Sequence, residues 1–418
     1  MDWPEPPGGG DLGDGRIAHA TERPNDRESL GDLVAGHAAG GFALYPQGGR
    51  TALNFGGIPS RPGIAIDLRS LDRVVDYPAA DMTITVEAGI TLDRLRAILL
   101  VEGQRLTLEA PQPDRATLGG IFATNASGPR RFGLGRARDQ VIGIKYVDPN
   151  GELIKGGGRV VKNVAGYDLP RLLTGSMGTL GIIVELTLKV RPLPEASALA
   201  WAPFPTLADA AAAVDRLNTS ATRPVAIELM NAAGARHVAE GVGDLPNGEW
   251  VLAVGFEDNA ASVAWQVEQL KCEIGRTELS SRQGDLSATL WSALVDSQAA
   301  EVGPLTIAAN LKPSAALGFV AALDPGRWAV QAHAGSGIVR AHLLGEPDLE
   351  TVAPEVDLLR HGAARLGGNL TLPRCPTGWK DRLQVWGQPR GDWVMAEKVK
   401  AALDPGGVLN PGRFVGKI

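Results

Sequence analysis

Three glycine-rich segments in the first half of the chain carry the residues best suited to binding a small charged molecule. They are YPQGGRT from residue 45, PDRATLGGIFATNASGPRRFG from residue 113 and GSMGTLGIIVE from residue 175. Loops of glycine and small hydroxyl residues can turn successive backbone N–H groups toward one point, which creates a site for phosphate oxygens. Two such loops in one domain suit a diphosphate held from both sides. The segments therefore predict a bound dinucleotide, and their order predicts a flavin.

The other common nucleotide loops are missing from the sequence. It has no G-x-x-x-x-G-K-[ST] motif, and no G-x-G-x-x-G opens a helix after the first strand with an acidic residue about twenty positions later. A glycine pair such as Gly48-Gly49 most often marks only a turn. The hydroxyl and amide groups of Thr117, Thr124 and Asn125 beside Gly119-Gly120 favour contact with a cofactor over a mere turn.

The composition excludes several classes of protein. Hydrophobic residues make up 44% and charged residues 21% of the 418 positions, which is an ordinary globular balance. A net charge of −6 offers no basic surface, so nucleic acid is not expected as a partner. Cys272 and Cys375 have no metal-ligand spacing and indicate a reducing compartment. No apolar run reaches the roughly 18 residues of a membrane span, so we expect a cytoplasmic protein, at most peripheral on the inner face of the cell membrane.

Hydrophobic periodicity predicts how the elements are arranged. Alternating residues predict strands over residues 64–68 and 82–87, and Thr91 is a suitable N-cap for a helix that ends at Val101. The DPNG sequence between residues 141–147 and 151–154 predicts a hairpin. After residue 194, strands alternate with one-sided helices, which predicts an antiparallel sheet covered on one face.

The quoted segments also carry a family resemblance. Together with KNVAGYDL from residue 162, they resemble the FAD-binding domain of the vanillyl-alcohol oxidase / p-cresol methylhydroxylase (PCMH) superfamily. KNVAGYDL, LTGSMGTLG and the ending LDPGGVLNPGRF are most similar to the FAD-binding E subunits of bacterial glycolate oxidases. Those enzymes are complexes of two related flavin subunits, D and E, and an iron–sulfur subunit.

The resemblance implies an α+β fold with a two-subdomain, PCMH-type FAD-binding domain followed by an α+β cap or substrate domain. We expect residues 1–18 to lack fixed structure, residues 19–194 to form the FAD-binding domain and residues 195–400 to form the second domain. Residues 401–418 are expected to return to the FAD-binding domain.

The resemblance also implies which residues bind FAD. Because Arg50-Thr51 stands where some members of the superfamily attach FAD to a histidine, the cofactor should be non-covalent. The implied contacts are, by segment, Gln47, Gly48, Gly49, Arg50 and Thr51; Pro113, Asp114, Thr117, Gly119, Gly120, Thr124, Asn125 and Gly128; and Gly178, Gly181 and Ile183. For Gly178 and Gly181, a purely conformational role in a tight turn is an equal alternative.

Two further groups of residues have a possible role and a simpler alternative. Lys162 and Tyr167 can face the flavin, where a cation stabilises the anionic reduced form, or they can be a surface lysine and an anchoring tyrosine. An arginine cluster, Arg130, Arg131 and Arg136, suits a carboxylate or a phosphate, although solvated arginines beside a turn are common.

The catalytic residues are harder to assign. Related 2-hydroxy-acid dehydrogenases share a metal segment of the form H-x-G-D-G-N-x-H, for which this chain has HAGSGIVR from His333 to Arg340. Serine replaces the acid and arginine the second histidine, and no Glu-His pair occurs in GGNLTLPR from residue 367. One histidine cannot hold a divalent ion, so no metal is expected. His333 is interpreted as a satisfied strand residue rather than a base, and His333, Lys312 and Arg340 are the remaining catalytic candidates.

Three functions follow from these patterns. The favoured one is the FAD-binding subunit of a glycolate oxidase complex that oxidises glycolate or a related 2-hydroxy acid and passes electrons to a partner subunit. Because the metal and base residues are replaced, this subunit is expected to depend on the D-type flavoprotein for hydride abstraction. The alternatives are a non-catalytic assembly subunit that keeps the flavin fold and a stand-alone FAD oxidase of another alcohol.

Overall fold

The computed structural model describes residues 10–158, 166–240, 242, 248–275 and 279–418. The strands in this part of the chain are β1 (Asp11–Gly13), β2 (Arg16–Ile17), β3 (Ala20–Glu22), β4 (Ala43–Gln47), β5 (Gly63–Asp67), β6 (Val74–Asp76), β7 (Thr83–Glu87), β8 (Gln104–Arg105), β9 (Val141–Val147), β10 (Leu153–Gly157), β11 (Ile182–Lys189), β12 (Arg191–Pro192), β13 (Ala196–Phe204), β14 (Ala226–Asn231), β15 (Trp250–Asp258), β16 (Ser280–Gln283), β17 (Thr306–Asn310), β18 (Trp328–His333), β19 (Ile338–Leu343) and β20 (Asn369–Arg374). The helices there are α1 (Arg27–Ala39), α2 (Leu92–Val101), α3 (Leu118–Thr124), α4 (Arg131–Leu134), α5 (Ala137–Gln140), α6 (Leu169–Leu173), α7 (Leu207–Leu217), α8 (Ala232–Ala239), α9 (Ala260–Ile274), α10 (Asp285–Asp296), α11 (Pro313–Val320), α12 (Leu349–Arg365), α13 (Lys380–Leu383) and α14 (Trp393–Leu403).

These elements form two compact units. Unit 1 consists of Met1–Ser127, Arg136–Pro192 and Gln384–Ile418. Unit 2 consists of Gly128–Gly135 and Leu193–Leu383. The short segment Gly128–Gly135 therefore interrupts the sequence of unit 1 but belongs to unit 2.

Unit 1 contains two sheets. The larger one has the strand order β10-β9-β11-β7-β6 and is antiparallel, and the smaller one has the order β3-β5-β4 and is parallel. The predicted helix after Thr91 is confirmed, since the Thr91 side chain accepts a hydrogen bond from the Arg94 amide. The predicted hairpin is also confirmed, and Gly151 in its turn has a φ of +82°.

The C-terminal segment of unit 1 contributes to the core around the parallel sheet. Leu409 is fully buried in a cluster with Leu44 and Ile64, and Leu44 and Leu409 form an isolated parallel bridge. The segment from the end of the chain therefore lies beside β4, at the edge of the parallel sheet.

The start of unit 1 differs from the sequence-based prediction. Residues 1–18 were expected to lack fixed structure, and residues 1–9 of this range lie outside the described residues. In the rest of it, β1 and β2 form an antiparallel pair, and Leu12 and Ala18 are buried. Gly13 lets this segment pack closely on the backbone of Leu53, because a Cβ at position 13 would lie only 2.3 Å from the carbonyl oxygen of Leu53. This close backbone contact fixes a segment whose glycine and aspartate content had suggested a flexible tail.

Unit 2 is built on one eight-stranded antiparallel sheet with the order β16-β13-β15-β14-β18-β19-β17-β20. The predicted antiparallel sheet is confirmed. Only one covered face was expected, whereas residues 251–256 of β15 are all buried, so both faces of the central strands are covered. Helices α8 and α10 pack on one face with Leu199 and Val251, and α7 and α9 also contact β15.

Candidate functional site

The first glycine loop follows β4 in unit 1. Gln47 ends the strand, is buried, and donates from Nε2 to the carbonyl oxygen of Asp11 at 2.7 Å. Arg50 has a φ of +60°, a left-handed conformation that non-glycine residues seldom adopt and that clusters at functional sites. In the described part of the chain, the amides of Gly48, Gly49, Arg50 and Thr51 make no hydrogen bond.

The first and second loops are in direct backbone contact. A Cβ on Gly48 would lie 1.9 Å from Thr117 Oγ1, and a Cβ on Gly49 would lie 1.7 Å from the carbonyl oxygen of Arg115. Any side chain at either glycine would push the loops apart. The sequence thus brings two predicted phosphate-binding loops together by leaving out two side chains.

The second loop leads into the short helix α3. Thr117 is its N-cap residue, and the amide of Gly119 donates to the carbonyl oxygen of Ala88 at 2.7 Å. The amide of Gly120 has no partner among the described residues, and a Cβ on Gly120 would meet only Thr117 Oγ1, at 3.4 Å. Gly120 is also exposed, so its amide is accessible to a ligand.

The other predicted residues of the second loop have different surroundings. Thr124 Oγ1 donates to the carbonyl oxygen of Gly120 at 2.8 Å, and Asn125 ends α3 in a left-handed conformation. The carbonyl oxygen of Pro113 accepts from the Asp93 amide, and Asp114 is exposed. Gly128, by contrast, lies in the segment of unit 2.

The third glycine loop packs against both of the others. The amide of Gly175 donates to Phe122 and that of Met177 donates to Ala123, both in α3. A Cβ on Gly178 would lie 3.1 Å from Pro46 Cγ, next to the first loop. All three segments singled out in the sequence therefore meet in unit 1.

Two residues predicted beside the third loop have a packing role. A Cβ on Gly181 would lie 2.3 Å from Tyr146 Cδ2, so the absent side chain makes room for the tyrosine ring. Ile183 is 5% exposed and belongs to the core cluster that also contains Tyr146. The structure supports the conformational alternative for Gly181.

The C-terminal segment supports the same loops through a buried ion pair. Lys400 Nζ donates to Asp404 Oδ2 at 2.6 Å and to the carbonyl oxygens of Thr179 and Leu409. Burial lowers the pKa of Lys400, while its hydrogen bond to Asp404 raises it. Asp404 also accepts from the amides of Val408 and Leu409, so both charges are fully paired. This ion pair was not predicted from the sequence.

The loop cluster fits the diphosphate of a dinucleotide. Three buried side-chain atoms in it have no partner in the described structure: Gln47 Oε1, Arg50 Nε and Ser176 Oγ. Buried polar atoms are normally hydrogen-bonded, so unpaired ones beside open amides indicate a polar ligand. Phosphate oxygens can accept from the Arg50 guanidinium and from several loop amides at once.

A second polar cluster lies in unit 2, on one face of the eight-stranded sheet. His333 is opposite Glu228 in the register of β14 and β18, and His333 Nδ1 lies 2.7 Å from each carboxylate oxygen. Both residues are almost fully buried. Gln331 donates to Glu228 Oε2, and Ser297 donates to Gln331 Oε1, which extends the network. In the described structure His333 Nε2 has no partner.

Arg340 lies on the same face of the sheet, opposite Gln331. Its Nε atom is buried without a partner among the described residues. Burial lowers the pKa of Arg340 to about 10; nearby Arg131 lowers it further, and Glu228 raises it. The guanidinium is therefore still charged at neutral pH.

The predicted arginine cluster is divided between the two units. Arg130 Nε donates to Glu257 at 2.6 Å, and its guanidinium lies 3.8 Å from the centre of the Trp291 ring. Arg130 thus holds the segment Gly128–Gly135 against the sheet of unit 2. Arg136 belongs to unit 1 and is exposed.

The remaining candidates are Lys312 for catalysis and Lys162 and Tyr167 for contact with the flavin, and they lie outside these contacts or outside the described residues. Lys312 is exposed just before α11. Tyr167 is 91% exposed, and Lys162 lies outside the described residues.

No group of three or more His, Cys, Asp or Glu side chains able to hold a metal ion occurs in the described ranges. None of the helices there is long and apolar enough to cross a membrane.

Two family models match the chain. The model described as "FAD binding domain" matches residues 18–157, which contain the first two glycine loops. The model described as "FAD linked oxidases, C-terminal domain" matches residues 193–307. The chain belongs to the FAD-linked oxidoreductases. The FAD cofactor predicted from the glycine loops is confirmed by this assignment.

Relatives of this oxidoreductase act on 2-hydroxy acids according to their names. A mitochondrial D-lactate dehydrogenase [cytochrome] of Arabidopsis thaliana is 27% identical over 94% of this chain and 72% of its own length. Glycolate oxidase subunit GlcD of Bacillus subtilis is 27% identical over 90% of this chain and 84% of its own. Glycolate oxidase subunit GlcE of Escherichia coli is 41% identical, but over 32% of this chain and 39% of its own.

The fold is shared with a more distant enzyme. Alkyldihydroxyacetonephosphate synthase superposes with a TM-score of 0.67 over 96% of this chain and 78% of its own, at 19% identity. The predicted α+β fold, with an FAD-binding domain followed by a second α+β domain, is confirmed by this similarity and by the two family models.

Proposed function

We propose that this FAD-linked oxidoreductase is the FAD-binding subunit of a glycolate-oxidase-type complex that oxidises glycolate or a related 2-hydroxy acid to the 2-oxo acid. The observation that carries the proposal is the meeting of three glycine-rich loops around unpaired amides and buried polar atoms in unit 1. The 41% identity to a GlcE subunit over part of the chain supports the subunit assignment, and the D-lactate and glycolate relatives support the substrate class.

Each unit has a separate task in this proposal. The amides of Gly48, Gly49 and Gly120 hold the diphosphate without a covalent bond to the protein, and Arg50 adds charge-assisted hydrogen bonds. When bound, FAD accepts the hydride of alcohol oxidation, which carries both electrons. Unit 2 contributes the polar groups that bind and orient the acid.

The electron acceptor in the proposal is another subunit. The partners are a D-type flavoprotein subunit and an iron–sulfur subunit of the same complex, and contact with the inner face of the cell membrane is made through them. A fall in flavin absorbance without peroxide formation is the expected behaviour of a subunit that delivers its electrons to a partner.

The test begins with the purified chain reconstituted with FAD. We expect the reconstituted chain to be yellow. In the assembled complex, the flavin absorbance near 450 nm should fall when glycolate or D-lactate is added under anaerobic conditions. A chain that stays colourless after incubation with FAD contradicts the cofactor assignment. Stoichiometric peroxide from the chain alone in air contradicts the role as a subunit and favours a stand-alone oxidase.

Matched variants separate catalysis from assembly. Gly48→Val forces a side chain into Thr117, and Gly120→Val places one where the ligand is proposed to lie. Complexes that contain either variant should lose the flavin of this subunit. If such complexes kept full glycolate oxidation without that flavin, the chain would be an assembly subunit.

A further inference from the structure

The first glycine loop depends on its neighbours for its position. The backbone amides of residues 48–51 make no hydrogen bond in the described part of the chain, and these are the amides proposed to bind the diphosphate. A loop without such bonds is positioned by the residues on either side of it. The contacts of Gln47, before the loop, and of residues 53–57, after it, therefore decide where the amides lie.

The β1–β2 hairpin binds both sides of this loop. Before the loop, Gln47 Nε2 donates to the carbonyl oxygen of Asp11 at 2.7 Å. After the loop, Asn54 Oδ1 accepts from the backbone amide of Asp14 at 2.9 Å. Asp11 belongs to β1, and Asp14 lies in the turn between β1 and β2. One short hairpin thus holds the strand that enters the loop and the segment that leaves it.

Arg413 joins the same hairpin to residues 53–57. Its Nη1 atom donates to Asp14 Oδ2 at 3.1 Å and to the carbonyl oxygen of Gly57 at 2.8 Å. Its Nη2 atom donates to the carbonyl oxygen of Leu53. The side chains of Arg413 and Asp14 are 5% and 1% exposed. Burial lowers the pKa of Arg413, and the charge of Asp14 raises it. The guanidinium therefore fixes both ends of residues 53–57.

The backbone at Arg413 adds further contacts to this segment. The carbonyl oxygen of Arg413 accepts from the amide of Gly57 at 3.0 Å and from Trp386 Nε1 at 3.0 Å. The centre of the Trp386 ring lies 5.0 Å from that of Phe55. Residues 53–57 are therefore held by polar and aromatic contacts as well as by the hairpin.

Stability alone does not require an ion pair between Asp14 and Arg413. Replacing a buried pair by apolar side chains of similar volume is often neutral or stabilising. Apolar side chains cannot reproduce the directed bonds of a guanidinium, which presents five N–H donors in a rigid fork. Asp14 also has a φ of +57°, a left-handed conformation that clusters at functional sites. These features indicate that the pair fixes the geometry of the adjoining loop.

We propose that the β1–β2 hairpin and Arg413 position the first glycine loop for FAD, so that the ion pair between Asp14 and Arg413 controls cofactor affinity through the loop. The inference rests on the part of the proposed function in which the amides of Gly48 and Gly49 bind the diphosphate. A loop that is fixed before binding avoids an ordering cost that would weaken affinity. Asp14 and Arg413 are positioning residues.

The first test uses a double variant of the full chain, Asp14→Asn with Arg413→Met. It removes both charges together, so that no buried charge is left unpaired. Asparagine also tolerates the left-handed backbone at position 14. In a fluorescence titration with FAD, we expect an affinity lower than that of the wild type by about 10-fold or more. An affinity within about 3-fold of the wild type overturns the inference.

A conservative variant separates the charge of Arg413 from its shape. Arg413→Lys keeps a positive charge beside Asp14 but lacks the fork that reaches Leu53 and Gly57. We expect its FAD affinity to lie between those of the wild type and the double variant. Wild-type affinity in Arg413→Lys overturns the role assigned to the fork.

The matched control for stability is Ile84→Val in β7. Ile84 is fully buried in the core of unit 1, and the loss of one methylene lowers stability without changing any contact described for the loop. We expect a lower urea midpoint and an FAD affinity within about 3-fold of the wild type. If Ile84→Val weakens FAD binding as much as the double variant, the loss follows stability, and the positioning role is overturned.

Hydrogen exchange of the FAD-free chain tests the positioning without the cofactor. In the double variant, the peptide that covers residues 48–57 should exchange about 10-fold faster or more, while peptides from β9 and β11 keep the wild-type rate. An equal acceleration in all of these peptides indicates a merely structural role and overturns the inference. An unchanged rate in residues 48–57 overturns it as well.

Failure of the proposed function can be told apart from failure of this inference. If Gly48→Val binds FAD as tightly as the wild type, the proposed diphosphate site fails, while hydrogen exchange still decides whether the hairpin and Arg413 hold the loop. If Gly48→Val loses FAD and the double variant binds it normally, only the inference fails.

Discussion

Gly120 gives the sharpest separation between fold stability and cofactor binding. It lies in the first turn of α3, where alanine is favoured over glycine by up to about 1 kcal/mol. A methyl group there would meet only Thr117 Oγ1 at 3.4 Å, an ordinary contact, so Gly120→Ala should leave the free protein equally or more stable. The same methyl would stand beside an amide proposed to bind the diphosphate. Loss of one charge-assisted hydrogen bond, about 1.5–3 kcal/mol, weakens FAD binding about 10- to 100-fold.

The assay combines urea unfolding of the FAD-free chain with a fluorescence titration of FAD. The matched control is Gly36→Ala in α1, another helical glycine of unit 1 whose Cβ would meet nothing within 4 Å. The control should gain stability and bind FAD normally. The reasoning is refuted if Gly120→Ala binds FAD as tightly as the control, or if Gly120→Ala loses stability without FAD.

Other perturbations probe the supporting structure. Lys400→Met or Asp404→Asn leaves one buried charge unpaired and should lower the free energy of unfolding by about 3 kcal/mol. The melting temperature of unit 1 should then fall by about 6–12 °C. A fall of less than about 2 °C would contradict a stabilising role of the ion pair. Gly181→Ala should lower stability by about 1–3 kcal/mol in urea unfolding through the clash with Tyr146, with unchanged FAD affinity, whereas weaker FAD binding at normal stability would restore the cofactor role. Burial, followed by the charges around it, lowers the pKa of His342 to about 4. Because the folded protein resists protonation of His342, the free energy of unfolding should fall by about 2 kcal/mol from pH 7 to pH 5, and by less in His342→Asn. An equal fall in the wild type and the variant would argue against a lowered pKa of His342.

The cofactor loops could be predicted from the sequence because their function depends on local composition. Glycine is needed at positions 48 and 49, because a Cβ at either would collide with the second loop. The fold sets no such requirement at Gly120, whose contact with the cofactor stays a prediction. For Gly181 the local pattern was ambiguous, since the side chain that needs the space, Tyr146, lies 35 residues earlier in the sequence.

The polar cluster of unit 2 could be predicted only in part, because some of its residues are far apart in the sequence. His333 and Arg340 were found because they lie in one short segment. Glu228, whose carboxylate lies 2.7 Å from His333 Nδ1, is 105 residues away in the sequence and reaches His333 only through the pairing of β14 with β18. A single acidic residue within the apolar strand AIELMN was the one available signal. The interpretation of His333 as a satisfied strand residue rather than a base stays a prediction; in the described structure Nδ1 is bonded to Glu228, and Nε2 has no partner.

The N-terminal segment illustrates a different limit of sequence reasoning. Composition predicted that residues 1–18 lack fixed structure, but a glycine-rich segment can also be ordered by close backbone contacts, as residues 11–18 are here. Gly13 packs on Leu53, and the buried Arg413 donates to Asp14. Contacts between the two ends of a chain leave no periodic signal in either one.

A crystal structure of the chain with FAD tests the central claim most directly. The account predicts diphosphate oxygens within about 3.2 Å of the amides of residues 48–51 and of Gly120, with Arg50 in contact with the phosphates. A diphosphate bound elsewhere, with these amides facing solvent, would contradict the account.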